Sequence, residues 1–345
     1  MTNFNFVVNS HNIEQIFIYG FLGFLVSMIL TPLYTTAAFR GQWWKKARTT
    51  TMTGEKATVY QKLHAAKHQR NIPTMAGVIF VVATIVVTVV DNLSRDGTWL
   101  PLAAMAGAGL IGLVDDVINI HSIGGGIAGM RAKVKSLFLL LIALVAGWWF
   151  YSKLGVTSID IPFWHALHIG IWVIPLFMLV LYSTANAVNI TDGLDGLAGG
   201  LSAIAFGAYA IIALLEGKYA VSGFCMTIVG GLLSYTWFNI YPARFFMGDV
   251  GSFALGTALG VVAMLTNTVL LLPIIGIVFV IETGSVVINI TSKKFRNGKK
   301  VFLSSPIHHH FEAIGWPETK ITMRFWVLGQ IAAFAGIIVY ILGSR

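Results

Sequence analysis

Residues 172–200 read WVIPLFMLVLYSTANAVNITDGLDGLAGG: a long apolar run breaks into two carboxylates, Asp192 and Asp195, set among glycines. Taken alone, the two DG pairs mark turns. The apolar run before them carries more information. It is long enough to cross a bilayer, and a segment in lipid must satisfy its own backbone hydrogen bonds, which a helix does. The rest of the chain repeats this pattern, with 56% hydrophobic and 11% charged residues over 345 positions and a mean hydropathy of +0.78. The expected fold class is an all-α integral membrane protein, one polytopic domain over residues 1–345. About ten transmembrane helices are expected, near 13–35, 72–90, 98–116, 136–152, 168–189, 197–215, 219–238, 250–266, 269–290 and 323–343.

Orientation follows from charge. No Lys or Arg precedes Arg40, which argues against a cleaved leader and for residues 13–35 as the first span, with the N-terminus outside. Alternating from there, the cytoplasmic loops collect all of the 23 Lys and Arg residues except Arg95, Lys153, Lys218 and Arg345. Basic residues favour the cytoplasmic side, so both termini are expected on the outer side. The net charge of +9 then lies against the anionic leaflet, and no nucleic-acid partner is expected. Cys225 is the single cysteine and falls within a span, which excludes an intrachain disulfide and a cysteine-rich metal site.

On this topology the chemistry-bearing residues gather on the cytoplasmic face. Span three ends in Asp115 and Asp116, two costly carboxylates at a helix C-terminus where the dipole disfavours them. A glycine-rich loop (Gly124, Gly125, Gly126, Gly129) leads to Arg131, Lys133 and Lys135, a flexible basic segment suited to closing on an anion. Asn186 and Asn189, and likewise Asp192 and Asp195, are spaced three apart, so a helix would put each pair on one face. Asp249 lies between Gly248 and Gly251 at a helix start, and His308, His309 and His310 follow a basic segment in the last long loop. Pro73 suits the first turn of span two, and Trp43 and Trp44 read as interfacial anchors. Glu282 is the one charge within a span, with Gly284 beside it to permit a bend. Each feature has a plainer reading: chance acids at helix ends, basic residues that only set topology, a polar interfacial histidine cluster. Their common face favours the sharper one. Carboxylates without cysteines suit a hard cation such as Mg²⁺, and Mg²⁺ suggests phosphate, hence a metal-assisted transfer to a membrane-borne acceptor.

Four segments in order, GLVDD (112–116), NAVNITDGLDGLAGG (186–200), FFMGDVGSFALG (245–256) and SPIHHHFE (305–312), together with PTMAG (73–77), closely resemble the phospho-N-acetylmuramoyl-pentapeptide-transferases, the MraY branch of the polyprenyl-phosphate N-acetylhexosamine-1-phosphate transferases. The resemblance spans nearly the whole chain. It implies ten helices and a bacterial cytoplasmic (inner) membrane location. The implied reaction moves phospho-MurNAc-pentapeptide from UDP-MurNAc-pentapeptide to undecaprenyl phosphate, giving lipid I and UMP, with Mg²⁺ as cofactor and a homodimer as the usual assembly. By motif, Asp249 matches the magnesium ligand, Asp115 and Asp116 the paired catalytic aspartates, and Phe246 an aromatic that stacks on uracil. Asp195 and Gly193 match the uridine pocket, and Asn186, Asn189, Asp192 and Asn239 fall among its polar lining. Lys135 matches the basic residue after the glycine-rich loop. His308 is placed with the catalytic residues, and His309 and His310 with the substrate-binding ones. The family's GTPTMGG reads NIPTMAG here, and the lysine expected before it aligns with Gln69, with Lys67 and Arg70 nearby; Asn119 stands where a basic residue is frequent.

Direct displacement by the lipid phosphate, with Asp115 as base, is favoured over a covalent two-step route. A UDP-N-acetylglucosamine transferase is the alternative within the enzyme class. A transporter is the alternative outside it, and would place charges at the midplane and show an internal repeat.

Overall fold

A computed structural model describes residues 10–44, 71–121 and 129–343. Its helices are α1 (Ser10–Arg40), α2 (Gly77–Asp91), α3 (Trp99–His121), α4 (Ala132–Ser152), α5 (Val173–Thr191), α6 (Leu197–Leu215), α7 (Tyr219–Asn239), α8 (Gly248–Leu265), the one-turn α9 (Leu272–Ile275), α10 (Ile277–Phe295), the short α11 (Ile307–Ala313) and α12 (Glu318–Gly343). Two-residue strands β1 (Ser158–Ile159) and β2 (Leu167–His168) pair antiparallel between α4 and α5. Among the described residues, 8 helices are long and apolar enough to cross a membrane, or 9 if the bent pair Val269–Ile275 and Ile277–Phe295 counts as one span. α2 is apolar but only 15 residues long.

Each of the ten expected windows meets a helix, because the lipid constraint leaves no other solution. The boundaries differ in instructive ways. α3 continues past Asp116 to His121, so the two aspartates lie inside its last turns and not at its end. α2 begins at Gly77, and Pro73 precedes it, bridged in extended form to Trp44. Trp43 likewise serves inside the fold: its ring leans on Tyr34, with centroids 6.1 Å apart, and its carbonyl accepts the Thr74 N–H. The bend of the ninth window is 82° and falls beside Gly276, between the two helices, and not at Gly284, which lies within α10. α5 stops at Thr191, so Asp192 and Asp195 occupy a turn instead of one helical face.

α8 is the central post. In its best apolar window 94% of residues are buried, and α2, α3, α5 and α6 all pack on it. Small residues at Gly251, Ala254, Gly256, Ala258, Gly260 and Ala263 let neighbours approach from every side, as membrane helices without a hydrophobic drive between them require. The closest approach is at Gly112 of α3, where an added Cβ would stand 2.2 Å from the Asp249 carbonyl oxygen. That contact sets the distance between the aspartate pair of α3 and the start of α8. Gly112→Ala is therefore expected to cost about 1–3 kcal/mol through overpacking. Thermal unfolding of the detergent-purified chain should show Tm lowered by at least about 3 °C, while Gly207→Ala, where a Cβ meets nothing within 4 Å, leaves it in place.

Candidate active site

The site is built where α3, α5 and α7 end and α2, α4, α6, α8 and α12 begin. Entry into α8 needs a left-handed residue, and Gly248 supplies it with φ +74°. A side chain there would also collide with Asp116 Oδ2, 2.4 Å from the position of its Cβ. The reason for that proximity is a hydrogen bond: Asp116, fully buried, accepts the Val250 N–H at 3.1 Å. A helix leaves its first N–H groups unsatisfied and carries partial positive charge at that end. Asp116 thus caps α8 from a different helix, with 134 residues of sequence between the partners.

Its neighbour faces the other way. Asp115, also fully buried, accepts the Met130 N–H through Oδ1 and the Lys135 ammonium through Oδ2, the latter at 2.9 Å. Lys135 Nζ also lies 3.0 Å from Asp249 Oδ2. One cation therefore bridges carboxylates from the end of α3 and the start of α8. The side chains of Lys135 and Asp249 keep 16% and 13% exposure, against 1% for Asp115, so the cluster opens outward on the Asp249 side. Three carboxylates and one ammonium leave a formal excess of two negative charges, and phosphate groups could join such a cluster only with further positive charge. The donors facing the opening are carboxylate oxygens; no set of three or more His, Cys, Asp or Glu side chains poised on a metal exists among the described residues. A hard cation held by one or two carboxylates, with phosphate and water completing its shell, fits that arrangement.

Around this centre the remaining residues sort by what they touch. Asn189 donates to Ser252 Oγ on α8 (2.8 Å), and Asn186 back to the Tyr182 carbonyl (2.7 Å). Asp195, 2% exposed, accepts the Ala243 N–H at 3.0 Å, and its own N–H donates to Glu318 at the start of α12. Asn239 joins two loops by accepting the Gly196 N–H (3.0 Å) and donating to the Phe245 carbonyl (2.8 Å). Phe246 is half-buried, and its backbone pairs with the segment before α2 through the Pro73 carbonyl (2.8 Å) and the Ala76 N–H (3.0 Å). Asp192 is half-buried at the end of α5. His308 is fully buried, bonded to Glu282 and pressed on Gly193, whose Cβ would stand 2.3 Å from Nε2. His309 pairs with Glu312 at 2.6 Å, and His310 accepts the Leu303 N–H at 3.3 Å.

Of the residues singled out in the sequence, Asp115, Asp116, Lys135 and Asp249 form one cluster, Asp195 and Asn239 pin the loops beside it, and Gly193 meets His308. Gln69, Lys67 and Arg70, and the glycines 124–126, lie outside the described residues. Sequence reasoning missed the backbone donors of Met130 and Val250, and also Ser252 and Glu318. Glu318 carried a faint signal as an acid in the first turn of a helix; Met130 and Val250 carried none, since any residue type supplies an N–H, and Ser252 acts through a hydroxyl that meets Asn189 only in the fold.

The family model described as Glycosyl transferase family 4 matches residues 98–267, from the start of α3 to just beyond α8. The phospho-N-acetylmuramoyl-pentapeptide-transferase of Geobacillus sp. (strain WCH70) is 39% identical over 333 residues, covering 94% of this chain and 98% of the relative. That of Geobacillus thermodenitrificans (strain NG80-2) is 40% identical over 335 residues, with 94% and 98% covered. The chain belongs to the phospho-N-acetylmuramoyl-pentapeptide-transferase family. Another member, from Caldanaerobacter subterraneus, is 40% identical over 263 residues, 76% of this chain and 82% of the relative. The match spans nearly the full length of the two Geobacillus relatives, and the lysine-bridged carboxylates fall inside the region matched by the family model.

Removing one partner of a buried ion pair leaves an uncompensated charge, at a cost of about 3–5 kcal/mol. Lys135→Met is accordingly expected to lower the Tm of the purified chain, and adding Asp115→Asn to recover part of that loss. Strictly additive losses in such a double-mutant cycle would show that Lys135 does not compensate Asp115.

Proposed function

We propose that this chain transfers phospho-MurNAc-pentapeptide from UDP-MurNAc-pentapeptide to undecaprenyl phosphate, releasing lipid I and UMP, the first membrane step of peptidoglycan synthesis. The observation that carries this reading is the conjunction of near-full-length family membership with the Asp115, Lys135 and Asp249 cluster at one end of an apolar helix bundle. A centre at the end of the bundle suits a donor from the aqueous side and an acceptor whose tail stays in lipid. The basic loops, by the positive-inside rule, support reading that end as the cytoplasmic face, with both chain termini outside, and the family reading puts the chain in the bacterial inner membrane. The whole chain acts as one polytopic domain and works as a homodimer.

In the reaction, an oxygen of the lipid phosphate forms a bond to the β-phosphorus of the nucleotide-sugar. The bond from that phosphorus to the UMP oxygen breaks, and UMP leaves with the electron pair. Asp115 takes the remaining proton of the acceptor phosphate. Lys135 keeps Asp115 oriented and offers its charge to the incoming phosphates. Asp249, the most open carboxylate of the cluster, would hold Mg²⁺, which when bound would supply charge neutralisation at the leaving phosphate. Phe246 stacks on the uracil, while Asp192, Asp195 and Gly193 shape the pocket for the nucleoside. Asn186, Asn189 and Asn239 keep the polar wall of the cleft in register, and His309 and His310 border it. Asp116 acts through α8 by fixing the helix that carries Asp249.

UMP release from UDP-MurNAc-pentapeptide by the purified chain tests this reading. It should require both polyprenyl phosphate and Mg²⁺, and UDP-N-acetylglucosamine should not substitute as donor. A lipid phosphate is already largely ionised near neutral pH, so the base contributes less than the charge at the leaving group. Asp249→Asn is expected to lower kcat by about 10³-fold or more, and Asp115→Asn by about 10²-fold. UMP release in the absence of lipid acceptor would turn the mechanism toward the covalent two-step route.

A further inference from the structure

Two exposed cations in the first turns of α12 share one aromatic ring and have no carboxylate to pair with. Lys320 Nζ lies 4.3 Å and Arg324 Cζ 4.7 Å from the centroid of the Trp316 ring. Phe311 stacks on the same indole with centroids 4.8 Å apart, and the buried Phe325 meets Phe311 edge-on, so the ring is fixed in place. Neither cation forms an ion pair among the described residues. The acids nearest in sequence are occupied elsewhere: Glu312 bonds His309, and Glu318 accepts the Asp195 N–H. Like charges four apart on a helix repel, and a ring face shared by two cations offsets little of that repulsion at an exposed site. An anion from outside the chain would relieve it.

The kind of anion follows from what adjoins the pair. Beyond Arg324 the same face of α12 continues as Val327, Ile331, Phe334 and Ile338, each more than half exposed. Spacings of three and four keep them on one side of the helix. In a chain that spans a bilayer, an exposed apolar stripe of this length lies against acyl tails. Cations at the end of the stripe stand at the depth of the headgroups, the layer in which tryptophan is also at home. A soluble phosphate gains from the cations and nothing from the stripe, and a zwitterionic lipid gains mainly from the stripe. A phospholipid with a net negative headgroup gains from both.

We propose that Lys320, Arg324 and Trp316 form a binding site for the headgroup phosphate of an anionic phospholipid, whose tails run along the Val327 to Ile338 face of α12. The guanidinium meets phosphate oxygens through its planar fork and the ammonium as a point charge, while the indole holds both cations over the same spot. The opposite face of α12 serves the protein: Glu318 takes the Asp195 N–H, and Trp326 Nε1 donates to the Gly196 carbonyl at 3.1 Å. A lipid seated on the outer face therefore steadies the helix that carries the loop between α5 and α6. The site stands independently of the transferase reading, since none of its three residues takes part in that chemistry.

Native mass spectrometry of the full-length chain, delipidated in neutral detergent, tests the site. The chain is titrated with dioleoyl phosphatidylglycerol, with dioleoyl phosphatidylcholine, and with phosphatidylglycerol in the presence of an equal concentration of inorganic phosphate. Wild type is compared with Lys320→Gln/Arg324→Gln and with Lys299→Gln/Lys300→Gln, which removes the same charge from a different loop. The first phosphatidylglycerol is expected to bind wild type about tenfold or more tighter than phosphatidylcholine, and inorganic phosphate to leave it bound. Lys320→Gln/Arg324→Gln should weaken phosphatidylglycerol about tenfold or more, while Lys299→Gln/Lys300→Gln stays within about threefold of wild type. No retained phosphatidylglycerol, equal affinity for the two lipids, displacement by inorganic phosphate, or equal losses in the two double variants overturns the proposal. Should Lys320→Gln/Arg324→Gln fail to fold, the single variants decide: each is expected to weaken phosphatidylglycerol about threefold or more, and no loss in either overturns it.

Discussion

A lysine ammonium suspended between two carboxylates governs this end of the molecule. Lys135 lies 2.9 Å from Asp115 and 3.0 Å from Asp249, and the three come from α3, α4 and α8. Taking carboxylates out of water is expensive, and the attraction between opposite charges recovers that cost only when the geometry is tight and the other lone pairs are satisfied. Asp115 gains a second donor in the Met130 N–H, and Asp116, next along α3, accepts the Val250 N–H. The helices are consequently held in the one arrangement that pairs their charges, and α8, buried along most of its length, cannot shift without exposing it.

The same arrangement divides two adjacent aspartates of one sequence motif between two tasks. Successive residues on a helix point about 100° apart, so Asp115 and Asp116 cannot serve the same partner. Asp116 turns to the N-terminus of α8 and stabilises the helix that presents Asp249; Asp115 turns to Lys135 and the Met130 N–H. The polar residues farther out repeat the theme of side chains bonded to backbone. Asn239 and Asp195 tie the loops after α5 and α7 together, giving the pocket a rigid wall without a strand or disulfide.

Much of the fold was legible because lipid leaves the backbone few options, and every apolar window carries a helix. Polar residues inside a span are where the sequence misleads, because they read as boundaries. Asp115 and Asp116 looked like the end of a span, yet α3 runs on to His121, because their charges are met by Lys135 and Val250 and need no exit to water. Pro73 looked like a first-turn residue, yet its carbonyl accepts the Phe246 N–H, a pairing between segments far apart in sequence. At the site, residue types and their shared face pointed to carboxylates and a cation. The separation of Asp115 from Asp116 in task, and the bond from Glu282 to His308, depend on rotation about a helix axis and on the bend beside Gly276, neither of which a single sequence fixes.

In the proposed reaction the divalent cation and the diphosphate meet at the opening beside Asp249, next to the lysine-bridged carboxylates. An anomalous-difference map from crystals of the purified chain grown with Mn²⁺ and UDP-MurNAc-pentapeptide tests it directly. A single peak is predicted against the carboxylate of Asp249, within the cluster formed with Asp115 and Lys135. A peak at His309 and Glu312, or none near Asp249 with nucleotide bound, would contradict the account.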